Sequence, residues 1–170
     1  MATAIETRRS DTTDEASDQY LTFSLAGEEY GVDILMVQEV KVWTGVTVLP
    51  NMPSSIRGVL NIRDVIVPII DLRTRFGLPR DDYSETTVIV VLKLGTSNQA
   101  RVIGIVVDSV SDVLDIPRSA LKTRDDFNVS SRSEAITGVA TVNKKLVITL
   151  NAARLLDVNE MAELEGAVSG

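Results

Sequence analysis

The sequence predicts an all-β chain built from two similar halves. Three observations carry this: an ungapped internal repeat, apolar residues spaced for short strands, and turn residues between them. The segment Ile56 to Phe76, IRGVLNIRDVIVPIIDLRTRF, lies over Ile136 to Leu156, ITGVATVNKKLVITLNAARLL, eighty positions later. Ile56/Ile136, Gly58/Gly138, Val59/Val139 and Val67/Val147 are identical, Ile62/Val142, Ile66/Leu146, Ile70/Leu150 and Phe76/Leu156 stay apolar, and Asp71 coincides with Asn151. A weaker echo sets Tyr30 to Val40 over Ile103 to Val113, aligning Gly31 with Gly104 and Glu39 with Asp112. Two units repeating one pattern of strands and turns predict two small barrels packed together.

Residues 1 to 17 are polar, rich in Thr, Asp and Ser, and are expected to form a flexible tail before the folded unit, residues 18 to 166; residues 167 to 170 form a flexible end. In Gln19 to Leu25 the side chains of Leu21, Phe23 and Leu25 alternate with Tyr20, Thr22 and Ser24, the period of a half-buried strand. Ala26-Gly27-Glu28-Glu29 turns the chain into a strand over Tyr30 to Ile34, followed by strands over Glu39 to Thr44 and Val46 to Leu49, ended by Pro50 and Pro53. Gly58 to Ile62 and Val65 to Ile70 form a tight hairpin, because only Arg63-Asp64 separates the apolar runs. Pro68 lacks an N–H, so its strand is an edge or carries a bulge there. Asp71 caps a short helix through Phe76, closed by Gly77.

The second half opens with Thr86 to Leu94 and residues 102 to 107, whose runs VIVVL and VIGIVV are apolar on both faces. Such strands are covered on both sides, and they are expected to line the contact between the lobes. Val110 to Ile116 ends at Pro117, a polar stretch runs from Lys122 to Glu134, and Gly138 to Val142 pairs with Leu146 to Leu150 across Asn143-Lys144-Lys145. Asn151 then caps a C-terminal helix with Ala153, Leu156, Met161 and Leu164 facing the core.

The chain has 170 residues, enough to bury a core of its own without a metal or disulfide staple. It contains no cysteine and no histidine, which excludes disulfides, thiolate nucleophiles, the usual zinc sites and imidazole catalysis. No cofactor is expected. A formal net charge of −7 argues against binding nucleic acid or anionic lipid and favours protein partners. No apolar run is long enough to span a membrane or serve as a leader, so a cytoplasmic protein is expected.

One string resembles a catalytic motif, Ser119-Ala120-Leu121-Lys122, but the companion strings of Ser–Lys hydrolases are absent and Ser119 follows Pro117 in a surface turn. Asp81-Asp82 and Asp125-Asp126 are adjacent pairs that point to opposite sides of an extended chain and read as solvated loop charges. A small barrel that binds nucleic acid is a further reading, opposed by the acidity and by only one Trp, three Tyr and three Phe. Between Arg57 and Arg80 stand five arginines (Arg57, Arg63, Arg73, Arg75, Arg80) against Asp64 and Asp71. Arg63, at a hairpin tip, could reach a carboxylate on another protein or be an ordinary solvated residue. Phe127, flanked by charge in TRDDFNVSSRS, either plugs a loop onto the core or anchors an interface.

These residues lie in strings, EEYGVDILMVQEV, VLPNMPSSIRGVLNIRDVIVPIIDLR and GIVVDSVSDVL, that together resemble the CheW family of bacterial chemotaxis coupling proteins. The resemblance runs from about Gln19 to Leu156 and into the helix after it. It implies two intertwined five-stranded SH3-like β-barrel lobes, with a short helix after the first lobe and a C-terminal helix, and no enzymatic activity. It also implies an adaptor that tethers the histidine kinase CheA, through its regulatory domain, to the cytoplasmic tips of chemoreceptors. The chain would then be a monomer when free and be recruited to membrane-associated receptor arrays. An acidic small-barrel interaction module of a related chemosensory system is the alternative. By position, the resemblance puts Ile34, Val37, Glu39, Arg63, Val88, Ile103 and Gly104 in a receptor-facing groove between the lobes, and Val113, Lys122 and Phe127 on the kinase side. The family commonly has Asn-Leu-Arg-Gly where this chain has Asn61-Ile62-Arg63-Asp64, so Asp64 occupies a turn position that favours Gly. The turn Gly95-Thr96-Ser97-Asn98-Gln99, longer than in typical relatives, is expected to be a neutral insertion.

Overall fold

The computed structural model describes residues 16–79, 83–95, 101–123 and 134–155, and among these described residues apolar side chains at alternate positions, broken by two-residue turns, give eleven strands and almost no helix. The strands are β1 (Ser17–Leu25), β2 (Glu28–Asp33), β3 (Val37–Val42), β4 (Ile56–Ile62), β5 (Val65–Asp71), β6 (Val88–Leu94), β7 (Arg101–Val107), β8 (Ser109–Pro117), β9 (Leu121–Thr123), β10 (Ile136–Val142) and β11 (Lys145–Leu150). One short helix, α1 (Leu72–Arg75), follows β5, and 3-10 turns occupy Ile34–Met36, Arg118–Ala120 and Ala152–Arg154. The all-β class and the helix after the first lobe agree with the sequence reading.

The strands form two sheets, ordered β8-β1-β2-β11-β10-β9 and β3-β6-β7-β5-β4. Each sheet borrows a hairpin from the other half of the chain. The first-half hairpin β1–β2 pairs with β8 and, in parallel, with β11, while the second-half hairpin β6–β7 pairs with β3 and, in parallel, with β5. This exchange makes the halves intertwined. One sheet has six strands rather than the expected five, because β8 and β9, separated only by the turn at Arg118–Ala120, lie on opposite edges of the same sheet. The smaller sheet repeats this arrangement in reduced form: a few residues after β3, Thr47 bridges to Val59 on the far edge strand β4. This isolated bridge is all that remains of the expected strand over Val46 to Leu49.

Both sequence echoes are structural equivalences. In the first, the β4–β5 and β10–β11 hairpins carry a register shift at the same place, between Ile56 and Gly58 and between Ile136 and Gly138. A Cβ on Gly58 would collide with the backbone of Thr47, and one on Gly138 would lie 2.6 Å from the Lys122 carbonyl oxygen, so each glycine admits the edge segment that pairs there. Both hairpins turn through two residues with positive φ, Arg63 (53°) and Asp64 (68°), then Asn143 (52°) and Lys144 (69°), a pairing suited to the right-handed strand twist. The second turn is therefore two residues long rather than three, and Lys145 starts β11 opposite Val142. In the second echo, Gly31 lies opposite Thr149 as Gly104 lies opposite Ile69, and β3 and β8 are both bulged, with Glu39 paired to Val91 and Asp112 to Thr22.

Pro68 sits in an interior strand, but at the last position before β7 begins to pair with β5 at Ile69, so its missing N–H costs no ladder bond to β7. Asp71 caps α1 as expected, its side chain accepting from Thr74 N, and Gly77 (φ 71°) follows. At the C-terminal end Asn151 caps Ala153 N, but the chain there makes a 3-10 turn in which Ala152 and Leu155 are buried and Ala153 is exposed. The spacing of a 3-10 turn, rather than of an α-helix, sets which residues face inward. Leu156, Met161 and Leu164 lie outside the described residues.

The main core joins the two sheets. Leu21, Phe23, Leu25 and Val32 of the larger sheet pack with Ile70, Val90, Leu92, Ile103, Ile105 and Val107 of the smaller one. The alternate residues of β6 and β7, Ile89, Val91 and Val106, enter a second cluster with Ile62, Val67 and Ile69. The two apolar runs are thus covered on both faces, and one face lines the contact between lobes, as the sequence predicted.

Candidate docking site

Most of the arginine-rich stretch turns inward. Arg73 donates from Nε and Nη2 to both carboxylate oxygens of Asp108, at 2.9 and 2.6 Å, and from Nη1 to the Pro79 carbonyl at 2.8 Å. Burial pushes the Asp108 carboxyl up, but the hydrogen bonds from Arg73 and the Ala26 amide, with the Arg73 charge, outweigh it and hold the group below its ordinary value. Arg75 donates to the Leu155 carbonyl at 2.7 Å, tying α1 to the end of the second half. Arg57 lies over the Tyr83 ring, 5.5 Å from its centroid, while Trp43 meets that ring edge-on and the Tyr83 hydroxyl donates to Asp71 at 2.6 Å. Three of the five arginines therefore serve the fold rather than an outward basic patch, and Arg80 lies outside the described residues.

Arg63 behaves differently. Its side chain is 73% exposed at the β4–β5 tip, with Nη1 3.4 Å from Glu39 Oε2 on β3. Strands at opposite ends of the sheet order thus meet at this corner. Lys41 Nζ stands 3.9 Å from the other Glu39 oxygen.

The remaining residues of the expected receptor groove divide into three groups. Val37, Leu92 and Ile103 form one cross-strand row, and Glu39, Val91, Gly104 and Ile69 form the next, so Val37, Glu39, Ile103 and Gly104 are neighbours at one end of β3, β6 and β7. Ile34, in the turn before β3, is half-buried against the same core as Val37. Val88 is far from this group, at the other end of β6 opposite Val42. Ile103 is only 2% exposed and Gly104 is buried, with Ile69 Cδ1 and Ile89 Cγ2 at 2.7 and 2.8 Å from where a Cβ would stand. These two support the surface from beneath. On the expected kinase side, Val113 is 43% exposed on β8 and Lys122 is exposed on β9, on the two edges of the larger sheet. Phe127 lies outside the described residues.

Val113 aside, the sequence reading passed over a set of exposed apolar side chains. Val40 and Val42 lie just after Glu39 on β3, Val65 and Ile66 follow the Arg63-Asp64 turn on β5, and Val113 and Leu146 stand in the second half. Val40 aligns with Val113, both 43% exposed, and Ile66 with Leu146, 44% and 50% exposed. The repeat alignment already contained both pairs, but equal hydrophobicity at paired positions reads as core until burial is known.

Ser119 lies in the exposed 3-10 turn and Lys122 on the strand after it, so the SxxK string lacks the helical, enclosed setting that a Ser–Lys pair requires. Among the described residues no cluster of acidic, His or Cys side chains is placed to hold a metal, and no helix is long and apolar enough to cross a membrane.

Comparison with known proteins agrees with this architecture. Residues 19–160 match the family model described as CheW-like domain. Chemotaxis protein CheW of Klebsiella aerogenes is 43% identical over 144 residues, covering 85% of this chain and 84% of that protein. The protein of the same name from Bacillus subtilis is 24% identical over 84% of this chain and 89% of its own. The crystal structure of the scaffolding protein TtCheW from Thermoanaerobacter tengcongensis superposes with a TM-score of 0.75 at 31% identity, covering 85% of this chain and 96% of that one. With a family match over most of its length, a relative well above 30% identity and the same two-sheet fold, the chain belongs to the CheW-like domain family.

Proposed function

We propose that this chain is a non-enzymatic coupling protein of bacterial chemotaxis, holding the histidine kinase CheA at the cytoplasmic tips of chemoreceptors. The observation that carries the reading is the paired exposure of Val40 with Val113 and of Ile66 with Leu146, one member of each pair in each half. A protein that bridges two partners needs two docking faces, and a duplicated scaffold supplies them without a second domain. Family membership and the chemotaxis and scaffolding names of its relatives support the same role.

The receptor-facing set would be Ile34, Val37 and Glu39 with Arg63, held in shape by Ile103 and Gly104 and bounded at its far end by Val88. An apolar surface with one ion pair at its rim suits a helical hairpin tip. Kinase contact would centre on Val113 and Lys122, and, by its place in the family pattern, on Phe127. The chain would be cytoplasmic and reach the membrane only through receptors.

Co-sedimentation with receptor-bearing membranes, with and without the kinase, tests this. Wild-type chain should pellet with receptor membranes and carry kinase with it. Arg63→Ala should reduce pelleting several-fold with an unchanged melting temperature, and Val113→Asp should spare pelleting but reduce the kinase carried. If wild-type chain neither pellets nor recruits kinase, the coupling role is wrong; if both variants behave as wild type, the site assignment is wrong.

A further inference from the structure

The two halves differ at one equivalent corner. In the first half the bulged acid Glu39 is met by Arg63, the first residue of the hairpin turn. In the second half the equivalent acid is Asp112 and the first turn residue is Asn143, which is too short to replace an arginine. A cavity of about 200 Å³ opens there, with Glu29, Asp112, Asn143 and Lys145 among its walls.

The larger sheet adds features to this corner that the smaller one lacks. Glu29, paired with Val147 across the larger sheet, brings a second carboxylate where the smaller sheet has Val102. Thr22, 1% exposed, stands where the smaller sheet has Val91; its hydroxyl accepts from Asp112 N and donates to Asp112 O, both at 3.1 Å. A buried hydroxyl at a position where valine suffices fixes the acid's backbone. Asp112 Oδ1 accepts from Val113 N at 2.7 Å, leaving Oδ2 without a hydrogen bond among the described residues. Glu29, Asp112 and Lys145 together give the cavity one net negative charge. Leu114, Val142 and Val147 line the rest of it. Its volume equals that of about seven waters at roughly 30 Å³ each.

One net negative charge, a fixed carboxylate and apolar walls define an occupant with an aliphatic stem and a monovalent cationic head. A planar guanidinium meets a carboxylate in two parallel hydrogen bonds, which an ammonium cannot do. We propose that this cavity receives an arginine side chain of a partner protein, filling in trans the place that Arg63 fills in cis in the first half. The inference does not rest on which partner the family role supplies, and its test leaves the receptor and kinase assays untouched.

The test is titration of the isotope-labelled full chain with N-acetyl-arginine amide, followed by backbone amide NMR, with the lysine and citrulline analogues as controls. The arginine probe should shift amides of residues 111–114 and 142–147 in a saturable way. Citrulline, isosteric but uncharged, should bind roughly tenfold more weakly or worse, as loss of a charged hydrogen bond predicts, and lysine should fall between. Asp112→Asn should abolish the response. Asn143→Arg, which rebuilds the first half's corner, should also abolish it while leaving the remaining spectrum folded. Equal binding of citrulline and arginine, shifts located elsewhere, or a response that survives in both variants would overturn the proposal.

Discussion

Arg73 and Asp108 form the principal polar clasp within the described residues, because this one ion pair joins α1 to the corner between β7 and β8 and, through the Ala26 amide, to the β1–β2 turn. The Arg73 side chain is 16% exposed and that of Asp108 33%, so the pair lies between surface and interior. Arg73→Ala should therefore cost about 1–3 kcal/mol in urea unfolding, above a surface pair and below a fully buried one. The pH dependence has a fixed sign. Asp108 is held below its ordinary value of 3.8, so its contribution is complete above that pH and is lost as pH falls through the lower folded-state value. The difference in melting temperature between wild type and Asp108→Asn should accordingly be constant near neutral pH and shrink below 3.8; a difference independent of pH would show that the carboxylate is not the stabilising form. Gly104 gives a second residue-scale prediction. A methyl there would meet Ile69 and Ile89, both fully buried with nowhere to move, and Gly104→Ala should destabilise by about 1–3 kcal/mol through overpacking.

At the scale of elements, the two long hairpins show what a short sequence signal can specify. Two polar residues between apolar runs fixed the Arg63-Asp64 turn, and both residues adopt the left-handed conformation such a turn needs. Asp64 is held at φ 68° with its amide bonded to the Asn61 side chain at 2.9 Å. Asp64→Gly removes the left-handed penalty but gives the unfolded chain more freedom, so the net change should be within about 1 kcal/mol, measured by thermal or urea unfolding. A larger loss would mean that the Asp64 carboxylate contributes to the turn. The same reasoning placed the second hairpin but lengthened its turn by one residue, because Lys145 is as polar as Asn143 and Lys144 and only the register with Val142 shows it to be strand. Polarity marks where a hairpin turns; hydrogen-bond registration decides where it ends.

At the scale of the molecule, the exchanged hairpins make each half incomplete alone. A first-half fragment would leave β1–β2 without β8 and β11, and a second-half fragment would leave β6–β7 without β3 and β5. Fragments 1–81 and 82–170 should each lack a cooperative unfolding transition by circular dichroism, whereas the whole chain unfolds in one step through its shared core. A cooperative transition in either fragment would show that the lobes are independent.

The sequence by itself determined the duplication, most of the strands, the position of the hairpin turns and the exclusion of cysteine and histidine chemistry, because these depend on local periodicity, backbone sterics and composition. It also marked Arg63 at a turn tip, and aligned Gly104 with Gly31 in the repeat. Only the tertiary structure decided that Arg57, Arg73 and Arg75 are spent on internal contacts, that Ile103 and Gly104 lie beneath the surface, and that Val40, Ile66, Val113 and Leu146 stand on it. The reason is physical: a charge or a methyl has the same identity whether buried or exposed, and its role is set by what packs against it. Here the packing partner belongs to the other half of the chain, at a distance no local pattern can encode.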